Sequence, residues 1–470
     1  MGYSYPKIEF SGSYSFSSQP QKEEGKVIEK GLQKLKDEGS KWAGMMYQTD
    51  MVNWPEDQQT WTLYDRASGF HVKPQPGGPF TFVEAKFVAL PPATFTDNVS
   101  ETQEMGTYGG QTLEWKRPGR GEGIADLPGL KLFGDIDPDD IMQGQVGDCW
   151  LVSAISALSE FDGEVKSLFD TGELSEAGKY TFRLYDLPSK SFKDIVIDDR
   201  LACVDGRLLS LRPTADNEIW PLLLEKAFCV HGGGWNKING GQSTLAFVIF
   251  TGCTDVFSIK SEDEKAWPPT YMKLQPDWNA YEENNCHCNQ ARQGMPLVPW
   301  PNGEMKIGMD GLFDLLCEWD DKNYVVCAGT GAGSDKNNTD GIVDGHAYSV
   351  ISSKKQVCGK FDLMLFRNPH GQTEFAGGWR DGGPEWKAHP DVKAELNHRE
   401  DPDDGLFWME KNDAFKYFHS FYVCCKPMDS NRIPKFENKS EDVKSMRKQD
   451  TTNPPKIASI ESIPPPKKKP

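Results

Sequence analysis

The stretch QGQVGDCWLVSAISALSE, residues 143–160, decides the fold class of this 470-residue chain. Two glycines and Asp148 make a turn, and an apolar segment of helical length begins at Cys149. A thiol at the first residue of a helix meets the positive end of the peptide dipoles and unpaired N–H groups, which favour its thiolate form. The segment predicts a reactive cysteine on a rigid buried helix. The plainer interpretation is a structural cysteine that begins a core helix.

A catalytic cysteine needs partners, and the chain contains one ordered set. Of eight histidines, only His346 follows a glycine turn at the mouth of a predicted strand. Asn368 ends the predicted strand FDLMLF, and its side-chain oxygen can accept the second imidazole N–H. Gln143, six residues before the thiol, can direct its amide toward the same point and form an oxyanion hole with the Cys149 backbone N–H. The order Gln, Cys, His, Asn is more specific than any single member.

Composition and charge exclude several classes of protein. The net charge of −18 argues against a general nucleic-acid binder, which needs clustered Lys and Arg. The longest apolar runs are too short to span a bilayer, and the first residues do not resemble a secretory leader. Eleven cysteines without framework spacing then predict reduced thiols. We expect a cytoplasmic protein without integral membrane association.

The chain divides into three parts by amino-acid composition and pattern. Residues 1–114 predict a small β-rich N-terminal module of unknown function, with an amphipathic helix over 21–42. Residues 115–426 are rich in Gly, Asp and apolar segments, with predicted helices and strands that indicate an α+β body. Residues 427–470 predict a disordered Pro/Lys tail. The predicted helices are 150–160 and 219–230, and the predicted strands are VVCAG (325–329), AYSVIS (347–352) and FDLMLF (361–366).

Several of these phrases resemble the calpain family of cysteine proteases. QGQVGDCW, DGHAYSV and RNPHGQTEFAGGW are similar to its three catalytic signatures. The resemblance implies a papain-like two-lobe protease core, with the cysteine on lobe 115–250 and the histidine and asparagine on lobe 251–426. It also implies a cleft that is inactive until the lobes close. Further similar phrases are WKRP (115–118), NEIWPLLLEKAF (217–228), GGQSTLAF (240–247), FTGC (250–253) and DGLFWM (404–409).

The resemblance also implies roles for individual residues. Two sets would act on a protein substrate, one catalytic and one substrate-binding. The catalytic set is Cys149 as nucleophile, His346 as base and acid, Asn368 as its orienter and Gln143 as oxyanion donor. The substrate-binding set is Gly241, Gly345 and Trp150.

Calcium is the cofactor that the resemblance implies. An EF-hand is excluded for DIDPDD (135–140), because its sixth position is Asp140 rather than Gly and its twelfth is Val146 rather than Glu. Calpain-like cores bind calcium through scattered carboxylates instead. The matching positions are Asp140 and Glu218 in the first lobe and Glu374, Asp381 and Asp404 in the second.

Three departures from the family pattern concern activity. His370 stands where the family has a Trp after Asn-Pro, Leu406 where a further acidic calcium ligand is usual, and Phe375 where a Trp is usual. We expect neither the EF-hand domain nor the β-sandwich of many relatives after the core, and we therefore expect a monomer.

The predicted function is calcium-dependent limited proteolysis of intracellular proteins. The main alternative is a catalytically weak or inactive relative that acts as a scaffold or cytoskeletal regulator. A transglutaminase-like acyl transferase is a second alternative, although its third member is usually Asp. Zinc at Cys286-His287-Cys288 is disfavoured, because four ligands are needed and the nearest other thiol, Cys317, is 29 residues away from Cys288.

Overall fold

The computed structural model of the protein describes residues 90–122, 124, 130–134, 136–212, 218–261, 272–276, 288–290, 305–333, 338–371, 373–398 and 404–428, with four short strands before them. The chain divides into two compact units, Met1–Ala89 with Ala125–Leu130, and Leu90–Ile124 with Lys131–Pro470. The predicted helix 21–42 lies outside the described residues, as does the predicted tail beyond residue 428. The predicted domain boundaries at 114, 250 and 426 stay predictions.

The described part of the first unit is an antiparallel sheet, in agreement with the predicted β-rich module. Its strands pair in chain order, so each is joined to the next as in a meander. They are β1 (Thr49–Met51), β2 (Leu63–Asp65), β3 (Phe70–Lys73) and β4 (Thr81–Glu84).

The predicted α+β protease core is confirmed in the second unit. Its first part, up to residue 251, packs helices against short sheets. Residues before 115 belong to this unit too, since Asp97 Oδ2 accepts a hydrogen bond of 2.8 Å from the Asp198 N–H. The strands are β5 (Thr107–Tyr108), β6 (Gln111–Thr112), β7 (Glu114–Lys116), β8 (Lys179–Asp186), β9 (Ser191–Asp198), β10 (Leu201–Val204) and β11 (Arg207–Leu208). The helices are α1 (Cys149–Leu158), α2 (Asp162–Lys166), α3 (Trp220–Gly232), α4 (Trp235–Ile238) and α5 (Ser243–Thr251).

Helices α1 and α3 confirm the two helices predicted from apolar runs. Residues 150–158 of α1 are all buried, so this helix has no solvent face. Helix α3 has a proline in its first turn, where the missing N–H costs nothing, and it ends at Gly233, whose φ of 96° is open to glycine without strain. Both helices therefore form the rigid interior of the first lobe.

The second lobe is built on an antiparallel sheet, for which the described strands run in the order β14-β13-β12-β21-β15-β18-β19-β20. The three predicted strands are confirmed as β15, β18 and β19. The strands of this lobe are β12 (Val256–Ser261), β13 (Met272–Pro276), β14 (Met305–Ile307), β15 (Val325–Thr330), β16 (Asn338–Thr339), β17 (Ile342–Val343), β18 (Ala347–Val357), β19 (Phe361–Arg367), β20 (Leu406–Glu410) and β21 (Phe418–Cys424). The helices are α6 (Met309–Asp321), α7 (Pro384–Ala388), α8 (Pro390–Glu395) and α9 (Lys411–Tyr417).

The two lobes meet where α1 lies on the large sheet. The hydroxyl of Ser349 on β18 donates to the backbone oxygen of Ser153 on α1 over 2.8 Å. The guanidinium of Arg367, at the end of β19, is buried and donates to the backbone oxygens of Asp139 and Ile141. These contacts hold the loop before the nucleophile against the second lobe.

A short segment between β13 and β14 makes a further link, which we call the clasp (Cys288–Gln290). Gln290 Oε1 accepts from the Leu187 N–H at 3.0 Å, and its Nε2 donates to Asp186 Oδ1 and to the His231 backbone oxygen. Cys288 is fully buried beside Gly232. A segment of the second lobe thus packs into the first lobe. In the described part of the chain, helices are too short or too polar to cross a membrane.

Candidate active site

Cys149 is the first residue of α1 and is half-buried. The neighbouring Trp150 fixes the helix start, because its indole N–H donates to the Ile238 backbone oxygen over 3.0 Å. The same indole lies beneath Gly241, where a Cβ would come within 2.4 Å of the ring. These contacts of Trp150 fix the position of the first turn of α1 and therefore of Cys149.

His346 and Asn368 meet as the sequence predicts. His346 Nε2 lies 3.0 Å from Asn368 Oδ1, which leaves Nδ1 of the ring for another partner. The Asn368 amide is itself held, since its Nδ2 donates to the Thr373 backbone oxygen over 2.9 Å. Both side chains are buried, so the imidazole has one defined orientation.

The lobe contact brings the cysteine and the histidine to the same end of the interface. Ser153 lies one helical turn after Cys149, Ser349 lies three residues after His346, and these two serines are hydrogen bonded. Tyr348 stands edge-on to the His346 ring at 5.1 Å. Burial raises the pKa of the Tyr348 hydroxyl, and a smaller part of the rise comes from the nearby Cys149.

Gln143 lies in the loop before α1, and this loop contacts the second lobe. Its backbone N–H donates to the Pro369 oxygen over 2.9 Å, directly after Asn368 in the chain. Its side-chain Nε2 donates to the Val146 oxygen, also over 2.9 Å. The amide is thereby turned along the 143–149 loop, and its second N–H is a candidate donor to an oxyanion.

His370 packs directly on the predicted base. The pKa of His346 is lowered to about 3, first by burial and next by the neighbouring His370, while the bond to Asn368 opposes both. The imidazole is therefore neutral at neutral pH. This electrostatic effect belongs to one of the three departures from the family pattern.

The two predicted substrate-binding glycines both occupy places that exclude a side chain. At Gly345 the φ is 58° and a Cβ would lie 2.8 Å from the Gly333 oxygen. One side of Gly241 packs against the buried Trp150 ring, which leaves no space for a side chain at this position. Open backbone is thus available beside both catalytic elements.

The first-lobe carboxylates, Asp140 and Glu218, lie close enough to repel. Burial raises the pKa of Asp140 well above its ordinary value, and the next cause is Glu218. Glu218 is fully buried, accepts from the Trp220 indole N–H at 2.8 Å and has Lys131 at 3.7 Å. Glu218 is buried and Asp140 half-buried, and two neighbouring carboxylates of this kind can share a cation.

The second-lobe carboxylates are less closely gathered. Glu374 Oε1 accepts from the Gly405 N–H at 3.1 Å, and Asp404 Oδ1 accepts from the Leu406 N–H at 2.7 Å, so both belong to one turn. Asp381 instead faces His398 at 3.7 Å. Among the residues that the structure describes, no group of three or more His, Cys, Asp or Glu side chains could hold a metal ion.

Sequence reasoning assigned no role to three buried ionisable residues around the site. Arg367 directly precedes Asn368, Asp148 directly precedes Cys149, and Glu225 interrupts the apolar run of α3. An ionisable side chain inside an otherwise apolar helix, or next to a nucleophile, is the signal that could have found them.

A known family and several known proteins match most of the chain. The family model described as calpain family cysteine protease matches residues 82–425. The calpain-2 catalytic subunit of Rattus norvegicus is 29% identical over 352 residues, which are 73% of this chain and 42% of that protein. The calpain-type cysteine protease DEK1 of Arabidopsis thaliana is 29% identical over 316 residues, 66% of this chain and 13% of that protein. The chain thus spans less than half the length of these relatives. It belongs to the calpain family of cysteine proteases.

Proposed function

We propose that the protein is a calcium-dependent cysteine endopeptidase that performs limited proteolysis of cytoplasmic proteins as a monomer. The observation that carries the proposal is the 3.0 Å contact of His346 Nε2 with Asn368 Oδ1 beside the helix that begins at Cys149. An orienting amide on one ring nitrogen is what a cysteine–histidine pair needs, because it leaves the other nitrogen for the thiol.

In this proposal His346 Nδ1 accepts the thiol proton as Cys149 Sγ attacks the carbonyl carbon of a peptide bond. The oxygen that becomes negative accepts hydrogen bonds from the Gln143 amide and the Cys149 backbone N–H. The C–N bond then breaks, and His346 returns the proton to the leaving amine. Water, deprotonated by His346, hydrolyses the remaining thioester and restores the thiol.

We propose that calcium is held by Asp140 and Glu218 in the first lobe and by Glu374, Asp381 and Asp404 in the second. When bound, it would neutralise carboxylates and favour the arrangement in which the lobes meet. The raised pKa of Asp140 supports the first site. In the second, Leu406 is buried and supplies no carboxylate, which favours weaker binding there.

The test is cleavage of casein by wild type, C149S and C358S, with calcium titrated against EGTA. Cys358 is a matched control, because its half-buried thiol contacts Glu395 and a serine hydroxyl can replace that contact. We expect calcium-dependent cleavage by wild type and C358S and none by C149S. Cleavage that ignores calcium would refute the metal assignments, and cleavage by C149S would refute the nucleophile.

A second candidate is a weak or inactive relative that binds partners as a scaffold. The lowered pKa of His346 beside His370 favours it, because a weakly basic imidazole is a poor proton acceptor. Calcium-independent partner binding by C149S, together with no cleavage by wild type at any calcium concentration, would establish this alternative.

A further inference from the structure

Directly behind the nucleophile lie two carboxyl groups that the proposed mechanism does not use. Asp148, the residue before Cys149, and Glu225, in the middle of α3, are both fully buried. Burial raises the pKa of Glu225 and the Asp148 charge raises it further, so the two carboxyl groups are close neighbours. Two carboxylates cannot donate to one another, so a hydrogen bond between them requires a proton on one of them.

The two buried carboxyl groups receive few hydrogen bonds from the rest of the structure. Glu225 Oε2 accepts from the Leu211 N–H at 2.7 Å. In the part of the chain that the structure describes, neither Asp148 oxygen nor Glu225 Oε1 has an N–H or hydroxyl donor. Burial is the main cause that raises the pKa of each carboxyl group. Two ionised carboxylates in contact, both out of water, are therefore strongly disfavoured.

Among the residues that the structure describes, the titratable side chains that we find beside the pair carry no positive charge at neutral pH. Tyr108 Oη accepts from the Gly147 N–H at 3.2 Å. Burial raises the pKa of the Tyr108 hydroxyl, and the nearby Asp148 contributes to the rise. Burial raises the pKa of the Cys229 thiol, and the charges of Glu225 and Asp148 raise it further. The clasp residue Cys288 also lies close to Cys229. The Lys226 ammonium, next to Glu225 in the chain, binds Asp198 Oδ1 at 2.7 Å instead.

We propose that Asp148 and Glu225 hold a proton between them at neutral pH and that this bridge positions the Cys149 loop. The inference rests on the proposed protease function. The bridge ties the residue before the nucleophile to α3, and through Leu211 to the strand-connecting loop of the first lobe. It thereby fixes the direction of the Cys149 backbone N–H. Loss of the proton places two adjacent negative charges under the loop, which moves and inactivates the site.

Three variants test the bridge. In E225Q the amide oxygen still accepts from Leu211 and the amide nitrogen donates to Asp148, so the bridge persists without a titrating proton. D148N also preserves the bridge, with the amide nitrogen at position 148 as donor and Glu225 as acceptor. E225A removes it. The exposed Glu173 supplies the control E173Q, which removes the same charge elsewhere.

The measurement is kcat/KM for a peptide substrate from pH 5 to 10, with alkylation of Cys149 by iodoacetamide followed by mass spectrometry. We expect E225A to lose about tenfold or more in kcat/KM. E225Q should retain most of it and keep activity to higher pH than wild type. Equal losses in E225Q and E225A, or an unchanged alkaline limb in E225Q, would overturn the proposal.

The alkylation readout separates this inference from the proposed function. If wild type cleaves no substrate, the protease proposal fails, but the pH dependence of Cys149 alkylation still reports on the bridge. D148N covers the case in which E225A does not fold. A D148N profile that coincides with wild type on the alkaline side would also contradict the shared proton.

Discussion

The His370 ring stacks on the His346 ring, with centroids 4.1 Å apart and planes inclined by 32°. The His370 backbone N–H also donates to Asn368 Oδ1 over 3.0 Å, so the two histidines share one acceptor. Two imidazoles in contact cannot both be protonated cheaply. His370, which stands where the family pattern has a Trp, therefore lowers the basicity of His346, the proposed catalytic base.

Replacement of His370 should make His346 more basic. In H370W the Coulombic effect of the second imidazole is absent, so the pKa of His346 rises toward its ordinary value while burial still lowers it. NMR titration of the imidazole C–H signals measures this directly. We expect several-fold faster alkylation of Cys149 at pH 7 in H370W. H370F is the matched variant, because it also removes the charge, and an unchanged pKa in both would contradict the Coulombic cause.

Removal of the Asn368 side chain should impair catalysis more than folding. N368A leaves the buried His346 Nε2 without its acceptor and frees the ring to turn. We expect kcat to fall about tenfold or more, with a modest loss of thermal stability. The control is T373A, since the Thr373 backbone oxygen that receives the Asn368 amide remains. Equal kcat in N368A and wild type would exclude the orienting role.

Neutralisation of Asp140 should stabilise the protein when calcium is absent. Its folded-state pKa is raised by burial and by Glu218, so this group stabilises the fold at low pH and loses that contribution as pH rises through the raised pKa. D140N should raise the free energy of unfolding at pH 7 in EGTA by roughly 1 kcal/mol. It should also raise the calcium concentration for half-maximal cleavage about tenfold.

Calcium titration and thermal unfolding in EGTA check both statements. E173Q is the control, because Glu173 is an exposed carboxylate that is not among the groups that raise the Asp140 pKa. A lower melting temperature of D140N in EGTA would refute the repulsion, and an unchanged calcium requirement would remove Asp140 from the metal site.

Loss of the clasp contact should loosen the first lobe locally. Q290A leaves the Leu187 N–H and the His231 oxygen without the buried amide that they now bind. We expect a cost of about 1–3 kcal/mol in the free energy of unfolding. Hydrogen exchange should be faster at residues 186–187 and 231–233. The control N289A changes an exposed side chain one residue away, and equal exchange in both variants would show that Gln290 is dispensable.

Local pattern was sufficient for much of the architecture. Helices α1 and α3 and strands β15, β18 and β19 follow from apolar runs bounded by turn residues, because buried elements of regular period can be recognised without knowledge of their neighbours. The order of Gln143, Cys149, His346 and Asn368 likewise indicated one chemistry, since few other sites use those residue types together.

Only the tertiary structure decided how charges interact across large separations in sequence. Nothing near Asp148 in the chain indicates that Glu225 lies against it, and nothing near His346 indicates that His370 stacks on its ring. Nor does the sequence indicate that Arg367 reaches the backbone of the loop that carries Asp140.

The sequence by itself determined which residues can do chemistry, because residue type and helix position are local properties. The tertiary structure decided their protonation, because a pKa depends on burial and on partners that only folding brings within a few ångströms.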